Sequence, residues 1–286
     1  MSRNSFQSLS SGGFHRISYT EWGDARCAHI VICVHGLTRN ARDFDTLAQS
    51  LEARCRVVCP DLVGRGQSDW LENKLDYAYP QYMTDMAALI ARVTATAGPA
   101  PLIDWIGTSV GGLIGMLLAA TANNPIRRLV VNDIGPVIPK AALERIATYV
   151  GKTSRFASLA DAESYVRTVS ASFGPLTDDQ WRDLTVHNIR KEPDGTWVMN
   201  YDPGIGTAFA SLPSNDIVFW DQWDRIKAPV LVLRGAQSDV LSAATANEMT
   251  RRGPATRLIE LAGVGHAPAL MADDQVRAVC DFLLAA

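Results

Sequence analysis

The chain has 286 residues, 47% of them apolar and 20% charged, with a formal net charge of −3. That length and apolar fraction support one large folded unit with a real core and lie outside the range of disordered chains. The near-balanced charge argues against a dedicated nucleic-acid binder, and no run approaches the roughly 18 unbroken apolar residues of a spanning helix.

Residues 1–13 are rich in Ser, Asn and Gly and show no apolar signal-peptide core. Phe14–Trp22 then alternates in strand fashion, and Ala28–Val34 is a near-continuous apolar run closed by His35 and Gly36, as in a buried parallel strand. Arg56–Cys59 is a further β run, ended by Pro60 and Asp61. Tyr79–Ala97 has helical spacing and stops at Gly98-Pro99. Leu102–Ile106, Leu129–Val131, Val230–Leu233 and Leu258–Leu261 read as strands, and Asp273–Leu284 as a closing helix. Alternating strands and helices predict a mostly parallel sheet covered on both faces. From Gly135 to about Asn215 the rhythm breaks. No β run is visible there, Pro residues punctuate helix-like stretches, and Ala141–Val150 and Ala160–Phe173 are the better helices. This segment is expected to lie over the sheet as a lid.

Five scattered cysteines, Cys27, Cys33, Cys55, Cys59 and Cys280, show no Cys-x-x-Cys pair and read as buried free thiols. A reduced, cytoplasmic protein is the expectation. No metal or cofactor is expected, because the chain offers no His-Glu-x-x-His pattern. The Gly-rich block Asp61–Ser68 lacks both the Lys-Ser/Thr ending of a P-loop and the third glycine of a dinucleotide fingerprint, so it reads as a structural turn near a pocket rim.

Chemistry concentrates at Gly107-Thr108-Ser109-Val110-Gly111, which follows a strand and opens a small-residue helix. A nucleophile on so tight a turn needs glycines around it, and the helix start supplies N–H donors for an oxyanion. Among the five histidines, His266 stands in a glycine-containing turn after the last strand and is the candidate base. His15 and His29 fall in or beside early strands and read as structural, and His187 as solvated. Asp239, after the strand ending in Arg234-Gly235, is the expected orienting acid, with Asp133 one strand earlier as the alternative. The oxyanion amides are expected from Leu37 and Val110. His35, Tyr201, Trp197 and Phe209 are candidate substrate-pocket residues.

Taken together, His35-Gly36, the Asp61–Ser68 block, Gly107–Gly111, Asp239 and His266 resemble the α/β-hydrolase superfamily in order and spacing, over residues 14–286. The chain looks most like small soluble bacterial esterase-type members with a helical cap. The resemblance implies an eight-stranded, mostly parallel sheet flanked by helices, with a helical cap inserted after strand 6. Residues 1–134 and 216–286 would form the core and 135–215 the cap. It also implies a Ser109-His266-Asp239 triad that cleaves a small to medium carboxylic ester through an acyl-enzyme. A carbon–carbon bond hydrolase, lactonase or amidase would use the same triad. A slow-turnover, receptor-like ligand binder is the alternative from another class. Expected partners are a small-molecule ester-like substrate, no nucleic acid and no membrane, in a monomer or homodimer.

Overall fold

The computed structural model describes residues 1–285. An antiparallel hairpin opens it, β1 (Ser2–Ser10) running against β2 (Gly13–Trp22) through nine residue pairs from Ser2↔Glu21 to Ser10↔Gly13. There follow β3 (His29–Val34), α1 (Asp45–Leu51), β4 (Arg56–Pro60), α2 (Tyr79–Thr94), β5 (Leu102–Thr108), α3 (Val110–Ala119) and β6 (Ile126–Asn132). The chain then leaves the sheet for a series of short elements: β7 (Val137–Ile138), α4 (Lys140–Ala147), β8 (Arg155–Phe156), α5 (Leu159–Val169), α6 (Asp178–Asn188), β9 (Ile189–Lys191), β10 (Trp197–Met199), β11 (Ile217–Val218) and α7 (Trp220–Trp223). It returns with β12 (Val230–Gly235), α8 (Ala243–Met249), β13 (Thr256–Leu261) and α9 (Asp273–Leu284).

Eight strands form one sheet in the order β1-β2-β4-β3-β5-β6-β12-β13. The pairs β1/β2 and β2/β4 are antiparallel, and every pair from β4/β3 onward is parallel. The apolar strands sort their side chains with period two. Ile30, Ile32 and Val34 face the core shared with α2, α3 and α8, whereas Val31 and Cys33 face α1 and α9. Burial on both faces explains why β3, β4 and β12 read as unbroken apolar runs.

Two departures from the sequence reading have local causes. The first is β1, whose polar sequence SRNSFQSLS gave no strand signal. It is an edge strand and mostly exposed, held by its pairing with β2 and by the buried Ser8 hydroxyl, which donates to Asp85 of α2 at 2.7 Å. The second lies between β6 and β12. There β8, β10 and β9 form a three-stranded antiparallel sheet and β7 pairs with β11, in a region where no β run was expected. Strands of two or three residues are too short to show an alternation. No helix among the described residues is long and apolar enough to cross a membrane.

Trp105 of β5 is fully buried beneath the turn that starts α3, and its Nε1–H donates to the Gly111 carbonyl at 3.1 Å. Trp105→Ala should therefore cost about 3–5 kcal/mol, the usual range for emptying a large aromatic site. The urea midpoint should fall accordingly while the far-UV dichroism keeps its native shape.

Candidate active site

Ser109 sits between the end of β5 and the start of α3 with φ 53° and ψ −117°, in the left-handed region that non-glycine residues seldom occupy. The turn closes because of its glycines. A Cβ on Gly107 would stand 2.2 Å from the Gly111 carbonyl carbon, and one on Gly111 would stand 2.1 Å from the Val34 oxygen. The Ser109 amide is tied to β6 through the Asn132 carbonyl at 3.0 Å. Its hydroxyl is thereby aimed out over the carboxyl ends of the strands.

His266 Nε2 lies 2.9 Å from Ser109 Oγ, and His266 Nδ1 lies 2.8 Å from Asp133 Oδ2. Asp133 is fully buried directly after β6, at φ 56°. Its Oδ1 accepts from the Gly235 amide at 2.7 Å, and its Oδ2 also accepts from the Ser238 hydroxyl at 2.6 Å. A buried carboxyl group with donors on both oxygens is held in place, and as an acceptor to Nδ1 it favours the tautomer that carries the proton there and presents a free Nε2 to the serine.

The acid beside His266 is thus Asp133, which corrects the expectation for Asp239. The turn after β12 points Asp239 outward, where its half-exposed carboxylate pairs with Nε of Arg145 on α4 and with Nη2 at 3.1 Å. The same turn instead offers Gly235 and Ser238 to Asp133. Burial by itself lowers the Arg145 guanidinium, but the hydrogen bond and charge of Asp239, with a smaller contribution from Tyr149, together hold its pKa above the ordinary value.

The loop after β3 carries Leu37, which lines the cavity containing Ser109 and His266. Leu37 N–H has no acceptor among the described residues, and Val110 N–H opens α3, where a helix leaves its first amides unpaired. Both candidate oxyanion donors are therefore available. The loop is braced from behind by the Asp61–Ser68 block. Asp61 accepts from the Ala41 and Gln67 amides, both at 2.8 Å, and the fully buried Arg65 donates to the Leu37 carbonyl at 2.8 Å. Arg65 is a support that the sequence reading missed. The Gly-rich block around it was noticed, but nothing local shows where a guanidinium will point.

Of the four candidate pocket residues, Tyr201 lines the cavity, and burial pushes its phenol up to about 12. The other three do not line it. Trp197 packs with Phe156 and Ile189 in the three-stranded sheet, and Phe209 packs against the main core. His35 is fully buried: its Nδ1–H donates to the Gly36 carbonyl at 2.7 Å and its Nε2 accepts from the Leu62 amide at 2.9 Å. It joins the loop after β3 to the loop after β4. The cavity wall is completed by Arg39, Asp43 and Phe44 from the core side, and by Arg145, Tyr149, Tyr165 and Phe173 from the segment between β6 and β12. The space spans about 1080 Å³ including its open mouth. His15 and His29 do not line it, and each bonds a buried aspartate, Asp85 and Asp104. His187 is half-buried on α6, its Nδ1 bonded to the Asp183 carbonyl.

A family model described as the alpha/beta hydrolase fold matches residues 29–271. The chain is 42% identical to a 3-hydroxybutyrate-oligomer hydrolase of Cupriavidus necator, over 98% of this chain and 97% of that protein. It is 29% identical to an esterase of Mycobacterium tuberculosis, over 93% and 85% of the two chains. A crystal structure of an alpha/beta hydrolase from Novosphingobium aromaticivorans superposes with a TM-score of 0.85 at 35% identity, covering 99% of this chain and 98% of the other.

Burial pushes the His35 imidazole down from 6.5 to about 3, so it stays neutral in the native state. Because the unfolded chain takes up that proton more readily, this group removes stability as pH falls from 6.5 toward 3 and leaves it unchanged above 6.5. His35→Gln, which keeps one donor and one acceptor, should flatten the decline. Chemical-denaturation midpoints of both proteins between pH 7.5 and 4.5 measure the difference.

Proposed function

Since the chain belongs to the alpha/beta hydrolase fold family and is a hydrolase of that fold, we propose that it cleaves carboxylic esters through Ser109, with oligoesters of a short hydroxy acid as the substrate class. The observation that carries the chemistry is the chain of contacts Ser109–His266–Asp133, at 2.9 and 2.8 Å, on a serine held in a left-handed turn. The substrate class is supported by the 42% identity, over nearly the whole of both chains, to a protein named for the hydrolysis of 3-hydroxybutyrate oligomers.

In this reading Ser109 Oγ attacks the ester carbonyl carbon while His266 Nε2 takes its proton. The Asp133 carboxylate stabilises the imidazolium that forms. The amides of Leu37 and Val110 hold the developing oxyanion. His266 returns the proton to the departing alkoxide oxygen, releasing the alcohol and leaving an acyl group on Ser109. A water molecule, deprotonated by His266, attacks that acyl-enzyme, and collapse of the second tetrahedral intermediate frees the acid and restores Ser109. Residues 135–215 serve as the cap, contributing Arg145, Tyr149, Phe173 and Tyr201 to the pocket.

Hydrolysis of p-nitrophenyl esters from acetyl to decanoyl tests the chemistry. Ser109→Ala should lose nearly all turnover with an unchanged dichroism spectrum, and near-wild-type activity in that variant would sink the nucleophile assignment. Asp133→Asn should lower kcat on the order of 10⁴, as loss of the orienting acid does in other triads. Asp239→Asn should stay within about tenfold of wild type, since an exposed ion pair contributes little. The opposite ranking of the two aspartates would return the acid role to Asp239.

A further inference from the structure

Two arginines line the cavity that holds Ser109, and neither has a part in the acyl-transfer chemistry. Arg39 is nearly buried, in the loop after β3. Its Nε and Nη2 donate to the two oxygens of Asp43 at 2.8 and 2.7 Å, and its guanidinium carbon lies 5.5 Å from the ring centre of Phe173. The fork is therefore held on one edge and stacked on one face. Its Nη1 donates to no acceptor among the described residues. The stem of Arg39 lies close to the nucleophile: its Cγ and the Ser109 Cβ are 3.6 and 3.9 Å from the same point beside Gly36, where a Cβ would stand.

Arg145 approaches from the cap side and is similarly held, its Nε and Nη2 engaged by Asp239. The charge facing the cavity is unequal. Arg39 and Arg145 both line it, Asp43 is the one carboxylate that does, and Asp239 lies outside the lining. Asp133 is fully buried behind His266. An apolar ester pocket has no use for two oriented guanidinium groups. A planar fork with an open edge binds a carboxylate with charge-assisted hydrogen bonds, and one already fixed by its neighbours loses little entropy in doing so.

We propose that Arg39 and Arg145 form a carboxylate subsite, so that the preferred substrate is an ester bearing a free carboxylate on the part of the molecule away from the scissile carbonyl. This rests on the hydroxy-acid reading above and deepens it, because a linear oligoester of a hydroxy acid ends in such a group. The carboxylate does not change charge during acyl transfer, so the subsite binds ground and transition states alike and acts on KM rather than kcat.

The test compares the 3-hydroxybutyrate dimer as its free acid with the methyl ester of the same dimer. The wild type should prefer the acid by about 10- to 100-fold in kcat/KM, the range for hydrogen bonds to a charged group, and the difference should lie in KM. Arg145→Met and the double variant Arg39→Met/Asp43→Asn should each shrink that ratio severalfold. The double change leaves no unpaired buried carboxylate, which guards against misfolding, and a ratio taken within one variant does not depend on how much total activity the variant retains. A wild type that hydrolyses both dimers equally well, or variants that keep the wild-type ratio, would overturn the subsite alone. An enzyme active on p-nitrophenyl butyrate that hydrolyses neither dimer would overturn the hydroxy-acid reading and the subsite with it.

Discussion

The buried carboxylate of Asp133 is the point on which three separate parts of the chain converge. It leaves the end of β6 in a left-handed conformation and accepts from the Gly235 amide, the Ser238 hydroxyl and His266 Nδ1. A buried anion is tolerated only where donors surround it, so the carboxylate imposes a fixed relation between β6, the turn after β12 and the loop bearing His266. Asn132, one residue earlier, adds to that relation. Its side-chain amide donates to Thr108 Oγ1 at 3.0 Å and to the Pro268 carbonyl at 2.8 Å, linking the strand before Ser109 to the loop that carries His266.

A second set of contacts positions the loop that carries Leu37. His35 and Arg65 hold the chain around Gly36 and Leu37 from beneath, the one as a neutral imidazole and the other through the Leu37 carbonyl. With their carbonyls engaged, the amides of this loop can face the cavity. The segment between β6 and β12 then rests on these same supports. Gly66 N–H donates to the Asn200 carbonyl, Asp202 N–H to the Gly64 carbonyl, and Asn40 Nδ2 to the His187 carbonyl. Ser172 brackets the His266 backbone, its hydroxyl donating to the His266 carbonyl and its own carbonyl accepting from the Gly265 amide at 2.7 Å. The segment between β6 and β12 is thereby tied to the loop of His266 and to the loops after β3 and β4.

The parts of the fold that were legible in the sequence share a physical character. Strands β3, β4 and β12 announced themselves because burial on two faces demands unbroken apolar runs, and α9 because one buried face demands helical spacing. The edge strand β1 is under no such demand, and its polar residues concealed it. The pairs β8/β10/β9 and β7/β11 are too short to carry a pattern. The tight turn at Ser109 was legible through the glycines that it needs, and the loop that brings His266 to it through its place after the last strand. Asp239 was preferred over Asp133, although both follow an apolar strand at the same end of the sheet and no local pattern distinguishes them. Which one turns inward depends on a backbone dihedral at Asp133 and on donors from residues about a hundred positions away.

What the sequence determined by itself was the layered architecture, the place where the chain leaves the sheet between β6 and β12, and the turn that presents Ser109. Each of these is written in local pattern: apolar periodicity, glycine spacing and strand-to-helix order are dictated by sterics and burial within a few residues. Which aspartate meets His266, the burial of His35 between two loops and the meeting of Arg39 with Phe173 at the cavity depend on long-range closure. A side chain's direction and its donors are set by the elements that pack around it, and those elements come together only when the sheet has formed and the cap has closed over it.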